Sequence, residues 1–277
     1  MVSKDRRRRE LARQKYARQQ ERRVETVRRT KRRNVIIAGV VAVALAAGAT
    51  AYASVTLIGG DRKAGTDDAA AATPSPAADP CARPAKGTPS KKTWPKEPAM
   101  TVDTSVSYTS ELATTCGRIT FTMDAAKAPH TVNSFAFLAG QGYFDHSRCH
   151  RLVDERIHVL QCGDPKGTGE GTPGYTIPDE NLKDPSLKGD VYPAGTVAMA
   201  NRYDGSNPKT RDSGGSQFFL VYQDSQLPPN YTPFGRITGG MDVLKKIAEA
   251  GSHPDPATGS TAPNATVVIN GAVVEKS

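Results

Sequence analysis

The most constraining feature of this chain is a run of 24 residues, 35–58, in which Tyr52 is the one ionisable side chain. Its sequence is VIIAGVVAVALAAGATAYASVTLI. As a helix it would be about 36 Å long at 1.5 Å per residue, and a bilayer's hydrocarbon core is roughly 30 Å thick. The run therefore predicts a transmembrane signal-anchor helix over residues 34–58 rather than a buried core helix.

A strongly basic tail precedes this run. Residues 1–33 hold fifteen Lys and Arg against four acidic residues, a net charge of +11, whereas the whole chain carries +9. The positive-inside bias predicts that residues 1–33 stay in the cytoplasm and that the C-terminal part is exported. Apart from Tyr16 the tail has no aromatic residue and no recognition motif, so we expect no nucleic-acid partner.

A possible cleavage site near the end of the apolar run leaves a secreted form open as an alternative. Ala51-Tyr52-Ala53 resembles a signal-peptidase site, so cleavage near Ala53 would release a secreted protein. The basic region before the run is much longer than the usual n-region of a signal peptide, which favours an uncleaved anchor. We therefore predict a single-pass protein of the cell membrane with an extracytoplasmic C-terminal domain.

The remaining chain divides by composition. Residues 61–99 contain seven prolines among Ala, Thr, Lys and Asp, which predicts an extended linker over residues 59–100. Residues 101–277 are then sufficient for one compact domain.

Short strands dominate the predicted secondary structure of this domain. Residues 118–123 alternate polar and apolar side chains, as a half-buried strand does. Further strand candidates span residues 150–153, 159–162, 196–200, 217–222, 234–237 and 267–274, and helices are predicted over 129–140 and 242–250. The pattern predicts a mainly β domain, a closed antiparallel barrel with helices covering its openings.

The four cysteines suggest disulfides, because their number is even and the predicted compartment is oxidising. Cys149 and Cys162 lie in consecutive strand candidates and could face each other across a hairpin, which leaves Cys81 and Cys116 as the second pair. Reduced, buried thiols are the alternative. No C-x-x-C spacing or histidine pattern completes a metal site, so neither a metal nor a cofactor is expected.

Several short motifs follow one another along the domain. In chain order they are Cys149-His-Arg-Leu152, Val159-Leu-Gln-Cys-Gly-Asp164, Gly167-Thr-Gly-Glu-Gly171, Asp179-Glu-Asn181, Val197-Ala-Met-Ala-Asn201, Gly215-Ser-Gln-Phe-Phe219 and Tyr231-Thr-Pro-Phe-Gly235. Each is weak alone, but in this order and spacing they resemble the cyclophilin family, from about Cys116 to Gly251. The resemblance implies an eight-stranded barrel and a peptidyl-prolyl cis/trans isomerase acting on proline-containing polypeptides.

The resemblance also assigns roles to individual residues. Arg151 matches the family's catalytic arginine, and Gln161 matches the glutamine that holds the substrate carbonyl and steadies that arginine. The backbone of Ala200 and Asn201 and the side chain of Gln217 match positions that grip the substrate main chain. The apolar slot for the proline ring is formed, by the same match, by Val159, Met199, Phe219 and Leu227.

These residue types suit the chemistry. Rotation about a prolyl amide has a barrier of about 18–20 kcal/mol because the nitrogen lone pair is conjugated with the carbonyl. An enzyme needs only to bind the twisted amide better than either planar form. In the twisted state the nitrogen can accept a hydrogen bond, and a guanidinium is an always-charged, directional donor.

The chain departs from the family pattern at the edge of this site. Arg151 and Gln161 are ten residues apart, about two more than in the best-known eukaryotic members. His158 takes a position usually held by an aromatic pocket residue, Gln226 stands where many members have tryptophan, and Tyr231 where they have histidine. A cyclosporin-type ligand, which the resemblance also implies, would contact this altered surface.

Two other functions fit parts of the sequence. A cyclophilin fold can serve as a proline-binding chaperone or scaffold whose catalysis is incidental. Asp212-Ser213-Gly214-Gly215 imitates the nucleophile loop of a serine protease, but no typical motif surrounds a histidine such as His146 or His150 that could act as its base.

The predicted topology can be tested by protease protection of intact cells. We expect external protease to remove a C-terminal epitope and to leave an N-terminal epitope intact, with the full-length chain in the membrane fraction. A mature N-terminus just after Ala53, with the domain in the medium, would instead support the secreted form.

Overall fold

A computed structural model describes residues 79–256 and 258–277. The predicted basic tail, the predicted span 34–58 and the first part of the predicted linker lie outside these residues. In the part of the chain that is described, no helix is long and apolar enough to cross a bilayer.

The domain consists of short strands and two α-helices, with short 3₁₀ turns at Lys188–Asp190 and Pro208–Thr210. The strands are β1 (Ser107–Thr114), β2 (Gly117–Asp124), β3 (Ser147–Arg148), β4 (Arg151–Val153), β5 (His158–Cys162), β6 (Val191–Tyr192), β7 (Thr196–Met199), β8 (Phe218–Gln223), β9 (Ser225–Gln226), β10 (Pro233–Gly239), β11 (Ser252–Asp255), β12 (Ser260–Pro263) and β13 (Val268–Lys276). The helices are α1 (Pro129–Gly140) and α2 (Met241–Glu249).

Local sequence explains the long elements. In β2 every second side chain is buried, with Ile119, Phe121 and Met123 facing the core, because side chains alternate across a strand. Helix α1 begins with Pro129 at its first position, where a missing N–H costs nothing, and it buries Phe135 against the same core. Strand β1 escapes prediction because its sequence, SYTSELAT, is mostly polar.

Nine strands form one antiparallel sheet in the order β3-β13-β1-β2-β10-β7-β8-β5-β4. The prediction of a closed eight-stranded barrel is wrong. Strands β3 and β4 stand at the two ends of the order and do not pair with each other, so the sheet is not closed. The reason lies in the chain itself. Ser147 pairs with β13, Cys149 N–H donates to Val267 O at 2.9 Å, and Arg151 then pairs with β5. One extended segment thus changes partners, and the sheet curls so that its two edges meet in residues 147–153.

Two disulfides join distant parts of the fold, in the pairings that the sequence analysis favoured. Cys149 and Cys162 link the curled segment to β5, with an S–S distance of 2.00 Å. Cys81 and Cys116 link residue 81 to the turn between β1 and β2, with an S–S distance of 1.95 Å. The described residues contain no free cysteine.

Residues 79–100, which we call the N-terminal strap, contain no helix or strand but contact the domain along their length. Ala82 N–H donates to Thr115 O, and Trp94 N–H donates to Pro173 O, both at 2.8 Å. The Trp94 ring packs edge-on against Phe137 of α1, with the centroids 5.1 Å apart. The sequence predicts an extended linker here, whereas the structure packs Cys81 and Trp94 of the strap against the hydrophobic core.

The packing of Trp94 in the strap predicts that this residue contributes to the stability of the domain. Trp94→Ala should lower the free energy of unfolding by about 2–3 kcal/mol, less than for a fully buried tryptophan because Trp94 keeps some exposure. Urea denaturation of the folded chain measures this difference. Lys91→Ala, at an exposed position of the strap, should change it by less than about 0.5 kcal/mol; equal effects from the two variants would contradict the assigned role of Trp94.

Candidate active site

The β4–β5 hairpin positions the two residues with the strongest motif match. Arg151 pairs directly with Gln161, and Leu152 with Leu160. Since neighbouring residues on a strand face opposite sides, Leu152 and Leu160 enter the core while Arg151 and Gln161 face outward. The longer connection, residues 154–157, leaves this register intact.

A groove of about 470 Å³ lies over this outward face. Its floor is apolar and includes Val159, Phe219, Leu227 and Tyr231, part of a second hydrophobic cluster separate from the core inside the sheet. The rings of Phe219 and Tyr231 are nearly perpendicular, with centroids 5.4 Å apart. Such a floor suits a compact apolar ring.

The guanidinium of Arg151 lies at this groove and is held by two hydrogen bonds. Its Nη1 donates to Gln161 Oε1 at 3.2 Å, and its Nε donates to Ser260 Oγ at 2.8 Å. Burial lowers the pKa of Arg151, and the nearby Tyr231 acts in the opposite direction. Because the ordinary pKa of arginine is above about 12, the group stays charged at neutral pH.

A chain of amides continues from Arg151 away from the groove. Gln161 Nε2 donates to Gln217 Oε1 at 2.9 Å, and Gln217 Nε2 donates to the carbonyl oxygens of Gly169 and Gly171, each at 2.9 Å. Gln161 therefore has its oxygen fixed by the arginine and its nitrogen fixed by Gln217.

The loop that receives these bonds is organised around the buried carboxylate of Asp164. Its oxygens accept N–H groups from Lys166, Thr168, Gly169 and Gly171 at 2.7–3.1 Å. A Cβ at position 171 would lie 1.7 Å from Asp164 Oδ1, so this position requires glycine. Burial raises the pKa of Asp164, but the four backbone N–H groups outweigh it and the pKa is below its usual value.

Eight of the eleven residues predicted for catalysis or substrate binding line the groove. They are Arg151, Gln161, Val159, Ala200, Asn201, Phe219, Leu227 and Tyr231. The Asn201 side chain ties two loops together, since its Nδ2 donates to Asp179 Oδ1 at 3.0 Å and to Asn230 O at 2.8 Å. Gln217 lies beside the groove, in a smaller pocket of about 140 Å³ that also contacts Gln161.

Two predicted groove residues lie elsewhere. Met199 points into the core inside the sheet, because strand alternation places its neighbours Ala198 and Ala200 on the groove side. The His158 ring packs against Tyr222, with centroids 5.6 Å apart, and its Nε2 is 3.3 Å from Gln223 Nε2. Ile157 lines the groove instead, beside an irregularity in the β5–β8 pairing between His158 and Val159.

Sequence reasoning missed several groove residues, among them Glu170, Thr258 and Ser260. Thr258 and Ser260 belong to a segment rich in Pro, Gly, Ser and Thr, which is typical of a turn and gives no sign of contact with residue 151. Only the fold brings Ser260 to an arginine 109 positions away.

The serine of the protease-like motif has a structural role. Ser213 Oγ donates to Thr210 O at 2.6 Å and accepts Arg202 N–H at 2.9 Å, bonds that hold a surface loop. No histidine is among its hydrogen-bond partners in the described residues. Within the same residues, no cluster of His, Cys, Asp and Glu side chains is arranged to hold a metal ion.

Comparison with known families matches residues 109–274 to the cyclophilin type peptidyl-prolyl cis-trans isomerase/CLD family. The chain belongs to the cyclophilin family. Among similar proteins, a probable peptidyl-prolyl cis-trans isomerase B of Mycobacterium leprae is 46% identical over 185 residues, covering 64% of this chain and 58% of the relative. A Mycobacterium tuberculosis protein of the same description is 44% identical over 165 residues, covering 56% of this chain and 51% of the relative. Peptidyl-prolyl cis-trans isomerase B of Bacillus subtilis is 36% identical over 132 residues, covering 47% of this cyclophilin and 83% of the relative.

The Asp164 loop of this cyclophilin predicts a pH-dependent stability. A folded-state pKa below the unfolded value stabilises the fold above about pH 4, and this stabilisation is lost as the pH falls through the folded pKa. Asp164→Asn should lower the free energy of unfolding at pH 7 by about 3 kcal/mol, because an amide offers one acceptor oxygen to four N–H groups.

Denaturation between pH 7 and pH 3 should then show a weaker acid dependence in Asp164→Asn than in the wild type. Asp190→Asn, at an exposed position, is the control and should keep the wild-type curve. Overlapping curves for Asp164→Asn and wild type would show that the carboxylate charge does not hold the loop.

Proposed function

We propose that this cyclophilin catalyses cis/trans isomerisation of X–Pro bonds by non-covalent stabilisation of the twisted amide. One observation carries the proposal: a charged, hydrogen-bonded guanidinium lies beside the apolar groove floor formed by Val159, Phe219 and Leu227. The relatives described as peptidyl-prolyl isomerases add support, although the chain spans only 58% and 51% of the two mycobacterial ones.

In the proposed mechanism the proline ring rests on Val159, Phe219 and Leu227. Rotation of the amide makes the prolyl nitrogen pyramidal, and a free N–H of Arg151 donates to its lone pair. That bond cannot form with the planar amide, whose lone pair is conjugated, so it lowers the barrier without stabilising the ground state. No proton is transferred and no covalent intermediate forms.

Gln161 completes the arrangement in two ways. Its Oε1 accepts from Arg151, which restricts the guanidinium, and its Nε2 retains one N–H after donating to Gln217. That remaining N–H is the donor for the substrate carbonyl. Ala200 and Asn201, which line the same groove, contact the substrate main chain.

The proposed setting is the outer face of the cell membrane, with the chain anchored through residues 34–58 and clients among exported polypeptides. Uncatalysed prolyl isomerisation takes tens to hundreds of seconds and limits the folding of many chains, so an isomerase at the site of export would accelerate their maturation. A cyclosporin-type ligand would meet Tyr231 and, at position 226, an exposed glutamine in place of tryptophan, which would weaken its binding.

Replacing the catalytic arginine tests the mechanism. Arg151→Ala in the full-length, detergent-solubilised chain should lower kcat/KM on a proline peptide at least about 100-fold, because the preorganised hydrogen-bond donor to the prolyl nitrogen is lost. Arg151→Lys should recover only part of the activity, since an ammonium lacks the planar fork. Arg236→Ala removes an exposed arginine of β10 and should leave turnover unchanged.

Circular dichroism and peptide binding by NMR establish that each variant is folded. Wild-type turnover in folded Arg151→Ala would overturn the mechanism. A wild-type protein that binds the peptide without accelerating its isomerisation would favour the chaperone or scaffold function instead.

A further inference from the structure

The hairpin formed by β11 and β12 covers the edge strand that carries Arg151. Strand β4 ends the sheet order and therefore has one side without a strand partner. On that side Thr261 Oγ1 donates to Leu152 O, the carbonyl next to Arg151. Ser252 Oγ donates to Asp154 Oδ2 at 3.2 Å, one residue beyond the strand. Each strand of the hairpin therefore makes one of these bonds: β12 binds β4 itself, and β11 binds the residue that follows β4.

Within this hairpin the position of Ser260 is well defined. Ser260 pairs with Asp255 at the end of the ladder, and Gly259 N–H closes the turn by donating to Asp255 O at 2.9 Å. Ser260 N–H donates to Thr258 Oγ1 at 3.3 Å. These bonds hold the Ser260 hydroxyl at the groove, where it meets the Nε–H of Arg151.

The two anchors of Arg151 act at different edges of the guanidinium. Gln161 binds Nη1 and Ser260 binds Nε, so together they fix both the plane of the group and its rotation in that plane. Of the five N–H donors, three remain for the substrate. With Gln161 alone, the guanidinium could turn about its single remaining bond, and the donor would no longer point at one place.

We propose that Ser260 is a positioning residue for Arg151, through which the β11–β12 hairpin sets the plane of the catalytic guanidinium. The inference rests on the proposed isomerase function of the groove. Ser260 acts on the orientation of the donor, and substrate affinity comes from the apolar floor and from the backbone of residues 200 and 201. Its loss therefore reduces turnover more than binding.

The first test separates turnover from binding. In the full-length chain, Ser260→Ala should lower the NMR-measured isomerisation rate of a saturating proline peptide about tenfold, the effect of losing one hydrogen bond to a charged group. The Kd of the same peptide should change less than about twofold. Ser260→Thr keeps the hydroxyl and should restore most of the rate.

Ser252→Ala is the matched control, since it removes a hydroxyl that attaches the same hairpin but does not reach Arg151. Its rate should stay at the wild-type value. An equal loss of rate in Ser252→Ala and Ser260→Ala would show that general loosening of the hairpin, and not the bond to Nε, is responsible, and would overturn the inference.

A double-mutant cycle isolates the route through Arg151. In an Arg151→Ala background, Ser260→Ala should have no further effect on the residual rate. A second, full tenfold loss there would mean that Ser260 acts directly on the substrate, which contradicts a positioning role. If Arg151→Ala loses activity while Ser260→Ala retains the wild-type rate, the inference fails and the proposed function stands; if Arg151→Ala itself retains the rate, the proposed function fails.

Discussion

The extended segment from Ser147 to Val153 pairs with β13 at its beginning and with β5 at its end. This double pairing curls the nine-stranded sheet and places Arg151 at the line where its edges meet. The Cys149–Cys162 disulfide crosses the same line, two residues before the arginine and one residue after Gln161. An uncovered edge strand presents unpaired N–H and C=O groups to other chains, and here the β11–β12 hairpin covers β4 while the disulfide ties the segment before it to β5. Arg151 therefore lies on an edge strand that is held both by a neighbouring disulfide and by hydrogen bonds to the hairpin.

Two glutamine amides, and no charged side chain, connect Arg151 in the groove to the buried loop around Asp164. From Arg151 the hydrogen bonds pass through Gln161 and Gln217 to the glycine carbonyls of a loop, and the loop closes on the Asp164 carboxylate. The positive and negative ends are thus separated by two neutral side chains. A direct ion pair would occupy the guanidinium N–H groups that the proposed mechanism assigns to the substrate. Amides orient the arginine and leave its remaining N–H groups free.

The sequence predicts most of the site but not all of its geometry. Arg151, Gln161 and Phe219 share the groove face because they are cross-strand partners on β4, β5 and β8. The motif that contains Met199 does not indicate on which face of β7 the methionine lies. An apolar methionine suits the core as well as the groove. Position 158 fails for a related reason, since regular alternation along β5 puts Ile157, Val159 and Gln161 on the groove face and His158 on the opposite face. Ser260 could not be found from sequence, because its contact is long-range and its neighbours are typical of turns. Cys81 and Trp94 are the two residues whose type indicates that the proline-rich stretch is more than a spacer.

The Cys81–Cys116 disulfide also determines how the domain would respond to force. The disulfide joins residue 81 directly to the turn between β1 and β2, and it closes residues 82–115 into a loop. A pull on the chain N-terminal to residue 79 would therefore enter the central strands β1 and β2 directly. The strap contacts around Trp94, which include the hydrogen bond to Pro173 O, lie inside the closed loop, and the disulfide bypasses them. The disulfide therefore shields the strap contacts from tension that is applied to the chain before Cys81.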